Sequence, residues 1–165
     1  MRSERGYTLV EMLIVVGLIG IMTAIAVPVF MESNARSNLW TGSELIGATI
    51  RQARMKAISQ NTSYRVVFNC PSANELRSLI VTGDPMVDDA VDRCDQTVDG
   101  DSGAIEMPTS ITYTPGTATR LEINGRGNFT AVGDAIPLVI NVNYGSTLRT
   151  LTVSATGQIT FSAVE

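Results

Sequence analysis

The hydrophobic pattern of the chain is dominated by its start, where positions 12–31 carry no charged side chain and are bounded by Glu11 and Glu32. Thr23, Pro28, Gly17 and Gly20 interrupt this stretch only mildly. Coiled as a helix at about 1.5 Å per residue, the stretch is roughly 30 Å long, the thickness of a bilayer hydrocarbon core. It predicts a membrane-spanning helix. Ahead of it stands the segment Met1-Arg2-Ser3-Glu4-Arg5-Gly6. By the positive-inside rule its arginines stay cytoplasmic, which leaves the body of the chain outside.

Beyond Glu32 the apolar residues become periodic. Leu39, Ile46, Ile50, Ala53 and Ala57 follow at steps of seven, four, three and four, which is one face of a helix, while Glu44, Gln52 and Lys56 face away. The first helix is therefore expected to continue to about residue 60, its second half docking on a globular head. Gly42 and Gly47 each weaken it by roughly 1 kcal/mol relative to alanine, so packing must supply the stability. Pro28 removes a backbone donor and clashes with the carbonyl of Ala24, which predicts a kink or a locally melted turn.

After Asn61 the pattern changes to short runs rich in Val, Ile, Thr, Tyr and Phe at 63–69, 77–82, 110–114, 119–124, 137–143, 147–154 and 158–162. Gly116, Gly125, Gly133, Gly145 and Gly157 punctuate them, and Asn143-Tyr144-Gly145-Ser146 fits a hairpin turn. A long helix followed by such runs reads as α+β, an antiparallel sheet head packed on the helix.

Composition narrows the function more than the fold. The chain of 165 residues has a formal charge of −4 and a pI near 4.8, so as a whole it offers no attraction to nucleic acid or anionic lipid. It has no histidine, the commonest general base and neutral metal ligand, and it lacks a nucleophile motif and a phosphate-cradling glycine loop. Catalysis and a bound cofactor are not expected. Cys70 and Cys94, an even pair in a chain that looks exported, suggest one disulfide worth about 3 kcal/mol; two free thiols are the alternative. Between 84 and 106 eight carboxylates stand against Arg93 alone. Such runs are usually solvated loops, and Asp95, Asp99 and Asp101 form at most a weak calcium candidate because their spacing matches no EF-hand.

Two routes of maturation are open. An ordinary signal peptidase would cut after Ala24-Ile25-Ala26 and free a soluble protein starting at Val27. Glu11 opposes this reading. A lone carboxylate beside an apolar span costs about 2.5–3.5 kcal/mol on insertion scales and marks a functional site.

The stretch Gly6-Tyr7-Thr8-Leu9-Val10-Glu11-Met12-Leu13-Ile14-Val15-Val16 resembles the N-terminus of type IV prepilins and type II secretion pseudopilins. These share a short basic leader ending in glycine, then an aromatic residue, then a glutamate at the fifth mature position; phenylalanine is more usual than Tyr7. The resemblance implies that a prepilin peptidase cuts between Gly6 and Tyr7 and methylates the new amine, that Glu11 pairs with the amine of an adjacent subunit, and that the helix bends or unwinds near Pro28 in a filament. The stretch 50–61, followed by a Val-Val-Phe strand and Cys70, together with Leu151-Thr152-Val153-Ser154-Ala155-Thr156-Gly157, is similar to the GspH/FimT group of minor pilins and pseudopilins. Some members of that group bind DNA through a glycine-arginine-x-arginine stretch, which here reads Gly157-Gln158-Ile159-Thr160 without either arginine. Arg126 is the remaining DNA candidate, and a lone arginine in such a turn is more often a solvated loop residue.

The expected organisation is a leader at 1–6, a transmembrane or filament-core helix at 7–31, its amphipathic continuation at 32–60 and a β-rich head at 61–165. The expected function is a structural subunit, minor pilin or pseudopilin, serving pilus assembly or type II secretion. A head that binds DNA or a surface from the filament is the alternative. The implied partners are other pilins through the helix, the prepilin peptidase, the inner-membrane assembly platform and membrane lipid. The implied location is the bacterial inner membrane, with a single pass and the head in the periplasm, and then the pilus or pseudopilus.

Overall fold

The structure is a computed structural model, and residues 8–164 are described. Its first element is α1 (Leu9–Gln60), a helix of 52 residues. Thr8 begins it: the Thr8 hydroxyl accepts the Glu11 backbone N–H at 3.2 Å, the first half of a Thr-x-x-Glu capping box. Its other end is closed by Asn61 at φ 49°, with Asn61 N–H donating to Ile58 O and Thr62 N–H to Ala57 O, the two bonds of a Schellman cap. The helix runs through Pro28 without interruption, so the locally melted turn expected there is absent.

The chain divides into two compact units, Met1–Ala35 and Arg36–Glu165. In the first, every described residue up to Asn34 is exposed. The Thr23 hydroxyl bonds back to the carbonyls of Ile19 and Gly20, both at 3.0 Å, which satisfies the polar group within the apolar run.

In the second unit the helix contributes Leu39, Ile46, Ile50, Ala53 and Ala57, all fully buried, to a core shared by two antiparallel sheets. One sheet orders β3 (Ile105–Glu106), β2 (Glu75–Ile80), β1 (Tyr64–Phe68), β5 (Arg120–Ile123) and β6 (Phe129–Val132). The other orders β4 (Ile111–Thr114), β7 (Leu138–Tyr144), β8 (Thr147–Val153) and β9 (Ile159–Phe161). Alternation sets the faces: Tyr64, Val66 and Phe68 point into the core and Arg65 and Val67 point out. The expected hairpin joins β7 to β8 with Tyr144 opposite Thr147 and Gly145 at φ +58°, as a two-residue turn demands.

Two features depart from the periodicity. β6 and the two-residue β3 lie outside the expected runs: β6 follows directly on the glycine-rich turn 124–128, and β3 is too short to alternate. Gly42 and Gly47 also do more than weaken the helix. A Cβ on Gly42 would stand 2.8 Å from Ile111 Cδ1, and one on Gly47 would stand 3.0 Å from Phe161 Cζ. The glycines let the helix backbone approach the second sheet.

Candidate functional site

The apolar half of α1 is one candidate site. Leu13, Val16, Ile21, Ile25, Val29 and Phe30 are among its exposed large side chains, and the helix is long and apolar enough to cross a membrane, with none of that stretch buried. Exposed apolar surface on this scale requires lipid or protein cover. Glu11 stands in the first turn, where a carboxylate also gains from the helix dipole. Pro28 lies inside the helix. Gly6 and Tyr7, the expected cleavage and methylation residues, lie outside the described residues.

The head carries the second candidate, the long loop between β2 and β3. Asp84, Asp92, Asp95 and Asp99 are exposed, as the composition of the run suggests, but Asp88 and Asp101 are drawn inside. Asp84 caps the short helix α2 (Pro85–Asp88), its carboxylate accepting Met86 N–H. Asp88 is buried and accepts from Thr82 N–H, Thr82 Oγ1 and Gly83 N–H. Burial pushes its carboxyl up, but these donors outweigh that and hold it below the ordinary range.

Asp101 is the loop's anchor. Its side chain is fully buried and accepts Arg93 Nη1 at 2.7 Å and Nη2 at 2.9 Å, Ile80 N–H at 2.8 Å and Val98 N–H at 2.9 Å. Burial opposes its charge, and Arg93 with the two backbone donors more than compensates, so the carboxyl is held below the usual value. Arg77 works on the same loop from β2. It is buried and donates to the carbonyls of Cys94, Gln96 and Ser102 and to Thr97 Oγ1, at 2.7 to 2.9 Å. Cys70 and Cys94 form the disulfide, Cα atoms 5.3 Å apart, which ties the loop's middle to the end of β1.

Asp101 is thus spent on Arg93, and Asp95 and Asp99 do not gather with it: among the described residues no group of three acidic, histidine or cysteine side chains could hold a metal. Arg126 is exposed at the tip of the turn between β5 and β6, where Asn124 Oδ1 accepts the backbone N–H of Arg126 and of Asn128, both at 3.0 Å.

Sequence reasoning missed three arginines that organise the head. Arg54 donates from Nε to Gly127 O at 3.1 Å and from Nη2 to Thr156 O at 2.9 Å, which fastens one turn from each sheet to the helix. It thereby joins the helix stretch 50–61 to the 151–157 stretch, and Gly157 at φ +81° leaves no room for a Cβ beside Phe129 and Arg54. Arg149 is buried with its guanidinium carbon 3.8 Å from the Trp40 ring centroid and 4.6 Å from that of Phe161, and it bonds Ser43 Oγ. Burial lowers its proton affinity and nearby Glu44 raises it. Arg65 donates to Asp88 O at 2.7 Å and to Asp89 Oδ1 at 3.0 Å, holding the loop to the outer face of β1. Its Nε lies 3.0 Å from Glu122 Oε1 without hydrogen-bond alignment. The only sequence signal for these three was a charged residue at a position whose neighbours in the pattern are buried.

Comparison with known proteins bears on the first candidate. Residues 1–27 match the prokaryotic N-terminal methylation motif. Two fimbrial proteins of Pseudomonas aeruginosa are each 25% identical over 120 residues, covering 73% of this chain and 76% of theirs. The chain is thus similar to type IV pilins in its N-terminal motif and to fimbrial proteins over most of its length. Its pilin fold, a long apolar helix packed on an antiparallel head, matches that of the Pseudomonas aeruginosa type IV minor pilin FimU in two crystal forms. One gives a TM-score of 0.53 at 14% identity over 75% of this chain and 92% of that one. The other gives 0.56 at 15% identity over 81% and 92%.

Proposed function

We propose that this chain is a minor-pilin-type structural subunit of a type IV pilus-like filament, made as a single-pass inner-membrane precursor with its head in the periplasm. The observation that carries the reading is the uncovered apolar helix behind the methylation motif: its own fold leaves residues 9–34 exposed, so lipid must cover them first and neighbouring pilins afterwards. The relatives named as fimbrial proteins and as a minor pilin favour a pilus over a secretion pseudopilus.

In this reading 1–6 is a leader removed by a prepilin peptidase between Gly6 and Tyr7, with methylation of the new amine. Residues 7–31 serve as anchor and then filament core, 32–60 carry the core helix into the head, and 61–165 form that head. During extraction by the assembly platform, Glu11 pairs with the Tyr7 amine of an adjacent subunit, which offsets the burial of either charge alone. Pro28 leaves the Ala24 carbonyl without its helical donor, the weak point at which the helix yields in the fibre. The chain's work is assembly, with no chemistry of its own.

The test is Glu11→Ala in a pilus-forming cell. The variant inserts in the membrane with its disulfide formed and is missing from sheared filaments. Its incorporation at the unmodified level would refute the pairing.

A further inference from the structure

On the outer face of the five-stranded sheet, Arg65 and Val67 of β1 stand opposite Glu122 and Arg120 of β5, and the loop after β2 brings Asp89 over them. Glu122 Oε1 lies 3.0 Å from the Nε of both guanidiniums but is aligned only on that of Arg120. Arg65 Nε is left as a buried donor without an acceptor. Asp89 Oδ1 is shared in the same way. It accepts Arg65 Nη1 at 3.0 Å and stands 3.7 Å from Arg120 Nη2, outside hydrogen-bonding distance. Two carboxylates thus serve two guanidiniums whose donors they do not satisfy.

Two cavities of about 160 Å³ each share Arg65 as a wall. The first lies between Arg65, Arg120 and Asp89, with Val67, Leu79 and Val91 as its apolar lining. The second is mostly polar and is lined by Ser63, Glu122, Asn124, Asn128 and Thr130. Among the described residues, the side chains of Ser63, Asn128 and Thr130 spend no hydrogen bond on the fold. Together the two cavities reach the roughly 300 Å³ at which small-molecule sites begin, with a few convergent polar groups on an apolar floor.

The charges choose the class of ligand. Arg65 and Arg120 balance Asp89 and Glu122, so an ion of either sign meets repulsion as well as attraction, and the exposed Asp84, Asp92, Asp95 and Asp99 of the same loop turn an anion away further. We propose that this groove, from Arg120 and Asp89 past Arg65 to Asn128 and Thr130, binds a neutral saccharide. Each ring hydroxyl can donate and accept at once, so adjacent hydroxyls donate to Asp89 and Glu122 and accept from Arg120 and Asn128. The apolar C–H face of the ring lies on Val67 and Val91. A ligand hydroxyl that accepts from Arg120 Nε frees Glu122 Oε1 to turn onto Arg65 Nε, which satisfies the donor left orphaned in the free head. The site belongs to the head alone, so it stands whether or not the chain enters a filament.

The experiment titrates the full chain, held in a detergent without sugar headgroups, with lactose, cellobiose and diacetylchitobiose, and with sialyllactose as the charged counterpart. Lactose stands for galactose-ended surface glycans and diacetylchitobiose for N-acetylated glycans of the cell-wall type, so the preferred sugar tells the source. By calorimetry at least one neutral disaccharide should bind with a Kd of about 1 mM or tighter, and sialyllactose about tenfold more weakly than the best of them. The Arg65 Nε–H resonance should shift on binding. Arg120→Ala should weaken the binding about tenfold or more, with its melting curve checking that the head is intact. The exposed Thr130→Val, which loses one neutral hydrogen bond, should weaken it about threefold and decides the matter if Arg120→Ala does not fold. No neutral disaccharide bound at about 10 mM, sialyllactose bound as tightly as the neutral sugars, or a Kd unchanged in the folded variant overturns the site.

Discussion

Asp101→Asn is the sharpest test of the head's architecture, because it removes one charge and almost no volume. The carboxylate accepts four hydrogen bonds, two from Arg93 at 2.7 and 2.9 Å and two from the backbone of Ile80 and Val98. An asparagine oxygen can keep some of these, but its amide turns a donor toward a donor and leaves Arg93, 6% exposed, without its counter-charge. Breaking a buried pair on one side costs about 3–5 kcal/mol, against roughly 0.2–1 kcal/mol for an exposed one. At the lower figure, and about 2–4 °C per kcal/mol for a body of this size, the head melts roughly 6–12 °C lower. The assay is thermal unfolding of the full chain in detergent, followed by the near-ultraviolet dichroism of the head's aromatic residues. Arg93→Met added to Asp101→Asn should recover part of the loss, since the stranded charge is gone. A drop below about 1 kcal/mol for Asp101→Asn would refute the claim that this pair is a buried anchor.

Further outcomes follow from neighbouring contacts. Gly157→Ala should destabilise the head by about 2 kcal/mol or more, seen as a lowered denaturation midpoint, because φ +81° strains alanine and its Cβ would strike Phe129 and Arg54. Replacing Cys70 and Cys94 by serine should cost about 3 kcal/mol, measured by the same melts, because the bond closes a separation of 24 residues. Asp88 and Asp101 both have carboxyls held below the ordinary value, so their stabilisation is complete above the unfolded pKa and is lost as pH falls through the folded ones. Stability should therefore be flat from about pH 7 to 5 and fall below about pH 4, with Asp101→Asn showing a shallower acid limb.

What was legible in the sequence was whatever periodicity could carry. The apolar run, the face of Leu39, Ile46, Ile50, Ala53 and Ala57, and most of the strands follow from local pattern, and all five of those helix residues are fully buried. β6 escaped because Phe129 and Ala131 face inward over only four residues after a glycine-rich turn. The two buried carboxylates of the otherwise solvated acidic loop were out of reach for a deeper reason. Whether Asp88 or Asp101 is solvated depends on Thr82, Arg93 and Ile80, partners that only the folded chain brings to them. Arg54 shows the same limit, since its acceptors lie 73 and 102 residues away. The apolar helix needed no such partner, so the part of the candidate site that residues 12–31 carry was visible from the start.

The account depends most on whether the apolar segment is retained when the chain matures. Intact mass and N-terminal sequencing of the protein recovered from the cell envelope test this directly. The account predicts a chain beginning at N-methylated Tyr7 with residues 12–31 still attached. A chain beginning at Val27, with the apolar stretch lost, would contradict it.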